Sequence, residues 1–219
     1  MTDDVSRETT PPTPTMAAGV FGSRLPMAEE YCRLLATDGV VRGLIGPREA
    51  PRLWDRHLLN CAVMAEAIEP GIDVADIGSG AGLPGLVIAI VRPDLTITLV
   101  EPLLRRTTFL EEVVSALGLT NVEIVRARAE ELHGKREFTC VTSRAVAPMT
   151  RLLDWSMPLV RPGGYLLAMK GSGVHEELKA ASKQLRKYGA GAVSVSTYGE
   201  NVIDPQATVV RVEVTAPRR

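Results

Sequence analysis

The sequence predicts an α/β fold: a Rossmann-like, seven-stranded and mostly parallel sheet with its last strand antiparallel, entered through a small N-terminal helical cap. Three observations predict it. From residue 71 onward, short β-branched runs alternate with helix-length amphipathic stretches, the pattern of a doubly wound sheet. The first run leads into a glycine-rich turn, the place where such sheets meet their ligands. The last two runs are separated only by the turn-rich Tyr198 to Gln206, too short for a crossover helix, so they should pair antiparallel.

The elements follow in order. A Thr/Pro run from Thr9 to Thr15 marks residues 1–23 as a disordered tail. Residues 24–70 form the cap. There Ala28, Tyr31, Leu34, Leu35 and Val41 recur at helical spacing until Gly43 and Pro47 interrupt them. Trp54, His57, Leu58, Cys61, Met64, Ala65 and Ile68 then build a second apolar stripe. Pro70-Gly71 opens the core, residues 71–219, expected to form one compact unit with the cap. Its strands read as Ile72 to Ile77, Leu95 to Val100, Val122 to Val125, Phe138 to Thr142, Tyr165 to Met169 (introduced by Gly163-Gly164), Ala192 to Thr197 and Thr208 to Val214. Pro84 opens the first core helix. The next buries Leu103, Thr107, Leu110, Val114 and Leu117 and stops at Gly118, and Glu176 to Tyr188 reads as one amphipathic helix.

A chain of 219 residues fits one domain, and 45% apolar with 23% charged residues excludes wholesale disorder. The longest apolar stretch, Leu83 to Val91, is broken by Pro84 and Gly85 and falls short of the ~20 residues of a membrane span. No hydrophobic block occupies Met1 to Thr15, so a cytoplasmic protein without a membrane partner is expected. Against 26 acidic residues stand 25 Lys plus Arg, which leaves no global field for a polyanion; any nucleic-acid contact must be a local patch. Three scattered cysteines, Cys32, Cys61 and Cys140, and three histidines form neither a disulfide framework nor a metal signature, and no metal is expected.

The most informative stretch is Asp76-Ile77-Gly78-Ser79-Gly80-Ala81-Gly82-Leu83-Pro84-Gly85. Its glycines let the backbone turn sharply against a ligand, and free N–H groups at the helix start favour an anionic group. Gly80-x-Gly82-x-x-Gly85 also satisfies the dinucleotide fingerprint, so glycine spacing alone does not separate S-adenosyl-L-methionine from a nicotinamide cofactor. Asp76, two residues before Gly78, gives the D-x-G-x-G-x-G form. Together with the C-terminal hairpin it favours a class I methyltransferase over a nicotinamide-dependent oxidoreductase; a tight turn without ligand is the bland alternative. Glu101 lies nineteen residues beyond Gly82 (101 − 82), where a carboxylate can accept both ribose hydroxyls or simply cap the next helix. Ala129 and Glu130, just past the third strand, are placed to line an adenine pocket, and an acidic first turn accounts for Glu130 equally well.

The whole pattern resembles the 16S ribosomal RNA guanine-N7 methyltransferases (ribosomal small-subunit methyltransferase G, or glucose-inhibited division protein B) from about Leu34 to Val214. It does so through Trp54-x-x-His57, the glycine stretch, Arg128-Ala129-Glu130, Ser143-Arg144-Ala145 and Lys170-Gly171. The resemblance implies that Gly78, Leu83, Ala129, Glu130 and Arg144 contact adenosylmethionine alongside Gly80, Gly82 and Glu101. It also implies that the acceptor is a guanine of 16S rRNA in the small subunit, guanine 527 in standard rRNA numbering. Three departures stand out: Asn60-Cys61 where an Asp-Ser pair is expected, Glu101-Pro102 in place of Asp-Ser before Arg105-Arg106, and Ala207 where a basic residue is expected just before the final strand.

The chemistry agrees with what the sequence lacks. Guanine N7 carries a free lone pair, so no general base is required. Methylation at pyrimidine C5 needs a cysteine nucleophile, and Cys140 reads better as a small core hydrophobe. Arg144 is the expected catalytic residue, orienting guanine O6 or a phosphate and leaving N7 free; a structural ion pair with Glu130 or the cofactor carboxylate is its alternative. Arg106, Arg128 and Lys170 are expected to hold the RNA. His57 falls on the apolar stripe, where a satisfied core histidine is the commoner explanation. A monomer is expected, and a ligand-sensing module without chemistry is the remaining alternative.

Overall fold

The computed structural model describes residues 10–144 and 147–215. The strands are β1 Asp73–Ile77, β2 Thr96–Val100, β3 Val122–Val125, β4 Phe138–Arg144, β5 Val160–Lys170, β6 Ala190–Tyr198 and β7 Ala207–Val214. They form one seven-stranded sheet in the order β3-β2-β1-β4-β5-β7-β6. The last strand, β7, is antiparallel to both neighbours and lies between β5 and β6, so β6 closes the edge. The β5 strand starts earlier than the sequence implies and runs through Gly163-Gly164. Only glycine fits there: a Cβ on Gly164 would collide with the Thr139 carbonyl oxygen on β4.

The cap contains α1 Thr15–Phe21, α2 Leu25–Leu34 with a π-helical continuation over Leu35–Gly39, a 3₁₀ turn at Ala50–Arg52, a π-helical stretch Leu53–Leu59 and α3 Asn60–Met64. Helix α1 corrects the expectation that residues 1–23 are a disordered tail. Ala17 and Phe21 are buried, and the Phe21 ring meets Trp54 edge-on at 6.1 Å, a burial worth about 1.5–3 kcal/mol for such a side chain. Residues 1–9 of that tail, and Ala145 of the Ser143-Arg144-Ala145 motif, lie outside the described residues.

The core helices are α4 Gly85–Val91, α5 Leu104–Leu117, α6 Met149–Ser156, α7 Val174–Ala180 and α8 Ser182–Lys187. The expected single helix from Glu176 to Tyr188 is therefore two, divided at the fully buried Ala181, whose φ of −86° and ψ of 4° turn the chain. Two side chains expected inside lie outside: Val41 is 86% exposed and Leu103 45%, while Phe109 and Val113 fill the α5 core face instead.

The sheet separates two apolar layers, as the two-residue side-chain period requires. Ile97, Leu99, Tyr165 and Leu167 point into a layer with the cap, α4 and Phe109 of α5. Ala75, Ile77, Val141 and Leu166 point into a layer with α6, Val174 of α7 and Ala181. Strand order reverses between β1 and β4, and the carboxyl ends of those two strands open the crevice in which such sheets bind ligands.

Candidate active site at the carboxyl edge of the sheet

Asp76 near the end of β1 is opposite Thr142 of β4, which brings Arg144 to the same edge two residues on. Asp76 is fully buried. Its Oδ2 accepts the Gly85 N–H at 3.0 Å, whereas Oδ1 has no hydrogen-bond partner among the described residues. Burial pushes its carboxyl up to about 7, against the opposing pull of the Gly85 N–H, the Ser79 hydroxyl and Arg144. A buried carboxylate oxygen without a donor is costly, and it calls for a cationic or N–H group on the ligand.

Between Asp76 and α4 the chain makes its turn with Gly78, Gly80 and Gly82 at φ of 70°, 59° and 99°. The loop is braced from both sides. Gly78 and Ser79 donate to the Val100 carbonyl at 2.9 and 3.2 Å, and the fully buried Tyr31 donates its hydroxyl proton to the Ala81 carbonyl at 2.7 Å. A Cβ on Gly82 would stand 2.9 Å from that tyrosine oxygen, and one on Gly85 2.7 Å from Asp76 Oδ2. These two glycines therefore let the turn pack directly on Tyr31, Leu86, Leu99 and the Asp76 carboxylate, where a side chain would collide. Gly82→Ala should weaken adenosylmethionine binding at least about tenfold, since an alanine at that φ adds 1–3 kcal/mol of strain to the turn. Isothermal calorimetry measures it, and an unchanged affinity would mean that the loop does not touch the ligand.

The anion-binding reading of the helix start needs correction. The Gly85 N–H is already taken by the Asp76 carboxylate, and Leu83 donates to the Ser79 carbonyl at 3.1 Å. A dinucleotide pyrophosphate placed here would face a buried acid. A ligand carrying positive charge, such as the sulfonium and ammonium of adenosylmethionine, meets complementary charge instead, so Asp76, the glycine cradle and Glu101 fit that cofactor.

Glu101, 1% exposed, follows β2. Its Oε2 accepts from Gly80 N–H at 3.0 Å and from Arg106 at 3.2 Å, while Oε1 accepts Leu103 N–H at 3.1 Å. The capping and glycine-loop roles thus coexist on one carboxylate. Arg106, expected on the RNA, gives one N–H to Glu101 and keeps its side chain 36% exposed. Beyond β3, Ala129 is buried and Glu130 is exposed in a 3₁₀ turn, Ala129–Leu132, so both reach the same edge as Asp76 and Glu101. Leu83 packs its side chain into the cap-side core.

On the β4–β5–β7 side of the crevice lies a cleft of about 1120 Å³, lined among others by Arg52, Asp55, Arg56, Asn60, Arg144 and Lys170. Among the described residues, Arg144 pairs with no carboxylate, Glu130 included. It donates to His57 Nδ1 at 2.7 Å and to the Arg56 carbonyl at 3.2 Å, and the far ring nitrogen, Nε2, lies 3.0 Å from Glu49 Oε2. His57 is thus a satisfied, nearly buried histidine, and its partner is the expected catalytic arginine. Lys170, expected at the RNA, lines the cleft, and its Nζ, almost fully buried, donates to the Ala147 carbonyl and to Glu177, each at 2.8 Å. Glu177 Oε2 also accepts Met149 N–H, so this lysine stitches the start of α6 to α7.

Cys140 is buried, and that burial pushes its thiol far above the usual range, which removes the thiolate a nucleophile needs. Among the described residues no group of three His, Cys, Asp or Glu side chains gathers as a metal site, and no helix is long and apolar enough to cross a membrane. Sequence reasoning missed Glu49 and Tyr31. Tyr31 was visible only as a core position, and Glu49 carries no periodic signal.

A family model described as rRNA small subunit methyltransferase G matches residues 24–207. A protein of that name from Nocardioides sp. is 62% identical over 220 residues, covering 100% of this chain and 88% of its own length. One from Streptomyces avermitilis is 58% identical over 205 residues, with 93% and 86% covered. Among solved structures, a SAM-dependent O-methyltransferase from Thermotoga maritima superposes with a TM-score of 0.56 at 14% identity, covering 73% of this chain and 66% of that one. A ribosomal protein L11 methylase from Lactobacillus delbrueckii subsp. bulgaricus gives 0.54 at 11%, with 72% and 77% covered; both likenesses bear on the fold alone. Because the match takes in the cap, the glycine turn and the Arg144 strand together, the chain belongs to the rRNA small subunit methyltransferase G (GidB) family.

Proposed function

We propose that this protein transfers the methyl group of S-adenosyl-L-methionine to N7 of a guanine in 16S rRNA of the small ribosomal subunit, acting as a cytoplasmic monomer. The observation that carries the cofactor reading is the buried, half-satisfied Asp76 at the head of the glycine turn. When bound, the cofactor supplies an electrophilic methyl on a sulfonium. Gly78, Gly80 and Gly82 let the backbone approach it, Asp76 offers its free oxygen to the ammonium end, and Glu101 accepts from the ribose. Leu83, Ala129 and Glu130 flank the adenosine side.

The chain then has to position an acceptor, not deprotonate it. N7 already has electrons to give. His57, the histidine beside the cleft, has both ring nitrogens engaged and is no free base. Arg144 reaches the cleft with N–H donors to spare and orients the guanine through O6 or a neighbouring phosphate. Holding the two reactants in line is worth roughly 7–11 kcal/mol of barrier. RNA backbone is met first by the exposed Arg128 and by Arg52 at the cleft rim, whereas Arg56, Arg106 and Lys170 each already pair with a carboxylate.

The test is transfer of labelled methyl from adenosylmethionine to unmodified small subunits and to naked 16S rRNA, with the site mapped by chain scission at N7-methylguanine. Label on another ring atom, or none on RNA, overturns the reading. Arg128→Ala should weaken subunit binding while lowering the slope of log affinity against log salt by about 1. An unchanged slope would remove it from the interface.

A further inference from the structure

Arg144 is held by the cap, and the cap does so through a defined proton arrangement. The guanidinium has five N–H donors and no acceptor. Its 2.7 Å contact with His57 Nδ1 therefore requires a lone pair on that nitrogen, which makes His57 the neutral Nε2–H tautomer. That Nε2–H points at Glu49 Oε2, 3.0 Å away, while Glu49 Oε1 accepts from Arg56 at 3.2 Å. The second Arg144 contact, to the Arg56 carbonyl at 3.2 Å, comes from the same stretch. Two of the five donors are thus bound to the cap, and Arg144 also lines the cleft. His57 lies within the π-helical stretch Leu53–Leu59, a local form often found at functional sites.

We propose that Glu49 and His57 are positioning residues of the active site. Glu49 fixes the tautomer of His57, and His57 fixes one edge of the Arg144 guanidinium so that its remaining donors face the RNA guanine. The charged groups facing His57 are Glu49 and Arg56 of the cap and Arg144 of β4. Burial and the Arg144 cation hold its imidazole down, to about 4, against the pull of Glu49, so the neutral form persists at physiological pH. A protonated ring would set two cations against each other and free the arginine. The chain of contacts follows the rule that an aligning partner sets which ring nitrogen carries the proton.

The inference rests on the reading that Arg144 touches the acceptor, and its test keeps the two apart. In the full-length protein, His57→Phe should lower kcat on small subunits roughly 10- to 100-fold with little change in adenosylmethionine affinity. His57→Asn, whose carbonyl can accept from Arg144, should stay within about fivefold of wild type. Glu49→Gln, which still accepts the Nε2 proton, should be nearly as active, whereas Glu49→Ala should follow His57→Phe. Nitrogen-15 NMR of the wild type should show His57 protonated at Nε2 only, and Glu49→Ala should mix the tautomers. Equal kcat in His57→Phe and His57→Asn, or a proton found on Nδ1, overturns the proposal. If the wild type methylates no RNA, the functional reading fails, and the tautomer spectrum still decides whether Glu49 and His57 hold Arg144 as described.

Discussion

Asp76→Asn should raise the thermal stability of the ligand-free protein at pH 8 and, in the same protein, weaken adenosylmethionine binding roughly 10- to 100-fold. The carboxyl of Asp76 moves from its ordinary 3.8 up to about 7 because it is fully buried. The folded state thus holds a proton that the unfolded state has released between about pH 4 and pH 7. Stability falls as pH rises through that window, by up to about 4 kcal/mol for three pKa units, and stays low above it. Asparagine keeps an oxygen for the Gly85 N–H and carries no charge, at the cost of about 1–3 kcal/mol for an unpaired amide donor. At pH 8 the balance should favour the variant, and below pH 4 that advantage should be gone. Binding runs the other way. The ammonium end of the cofactor prefers the ionised carboxylate, so wild-type affinity should weaken below about pH 7, by up to tenfold per pH unit, while the variant stays flat. Calorimetric melting and titration across pH 4–9 measure both. A variant less stable than wild type at pH 8, or identical pH profiles for binding, would show that Asp76 is not the strained, ligand-seeking group described here.

The features that sequence made plain are those whose signal is local. Each β-branched run became a strand because its side chains fit a sheet buried on both faces, and Asp76 with three left-handed glycines is a short contiguous code. The order of strands was less accessible. The turn between Tyr198 and Gln206 announces that β6 and β7 pair, but whether β7 or β6 joins β5 is decided by long-range pairing, and β7 wins, placing the buried Val210 and Val212 beside β5. Helix α1 was hidden by its neighbours: Thr and Pro precede it, and its apolar signal is only Ala17, Val20 and Phe21 at i, i+3 and i+4. Lys170 read as an RNA contact because sequence does not reveal that Glu177, seven residues on, would fold back on it. The same limit concealed Glu49, which matters through a single contact with His57.

Arg144→Ala should lower kcat on small subunits about 10²-fold, the usual consequence of losing the group that aligns one reactant with the other. As N7 attacks, positive charge spreads into the guanine ring, and a cation on N7 itself would oppose the reaction; donation to O6 or a phosphate fixes the base without touching the reacting lone pair. The effect should therefore appear in kcat rather than in the KM for the subunit. Cofactor binding should change in a particular way. Arg144 helps hold the Asp76 carboxyl down, so its loss should move the pH at which adenosylmethionine affinity fails upward and leave the affinity at high pH close to wild type. Arg144→Lys separates charge from shape. Lysine keeps the cation but has one nitrogen, which cannot bridge His57 Nδ1, the Arg56 carbonyl and the base at once. Its kcat should be nearly as low as that of alanine, while its pH profile for cofactor binding should stay near wild type. A lysine variant with wild-type kcat would mean that Arg144 acts only as a charge, and the planar, cap-held guanidinium would have no part in aiming the guanine.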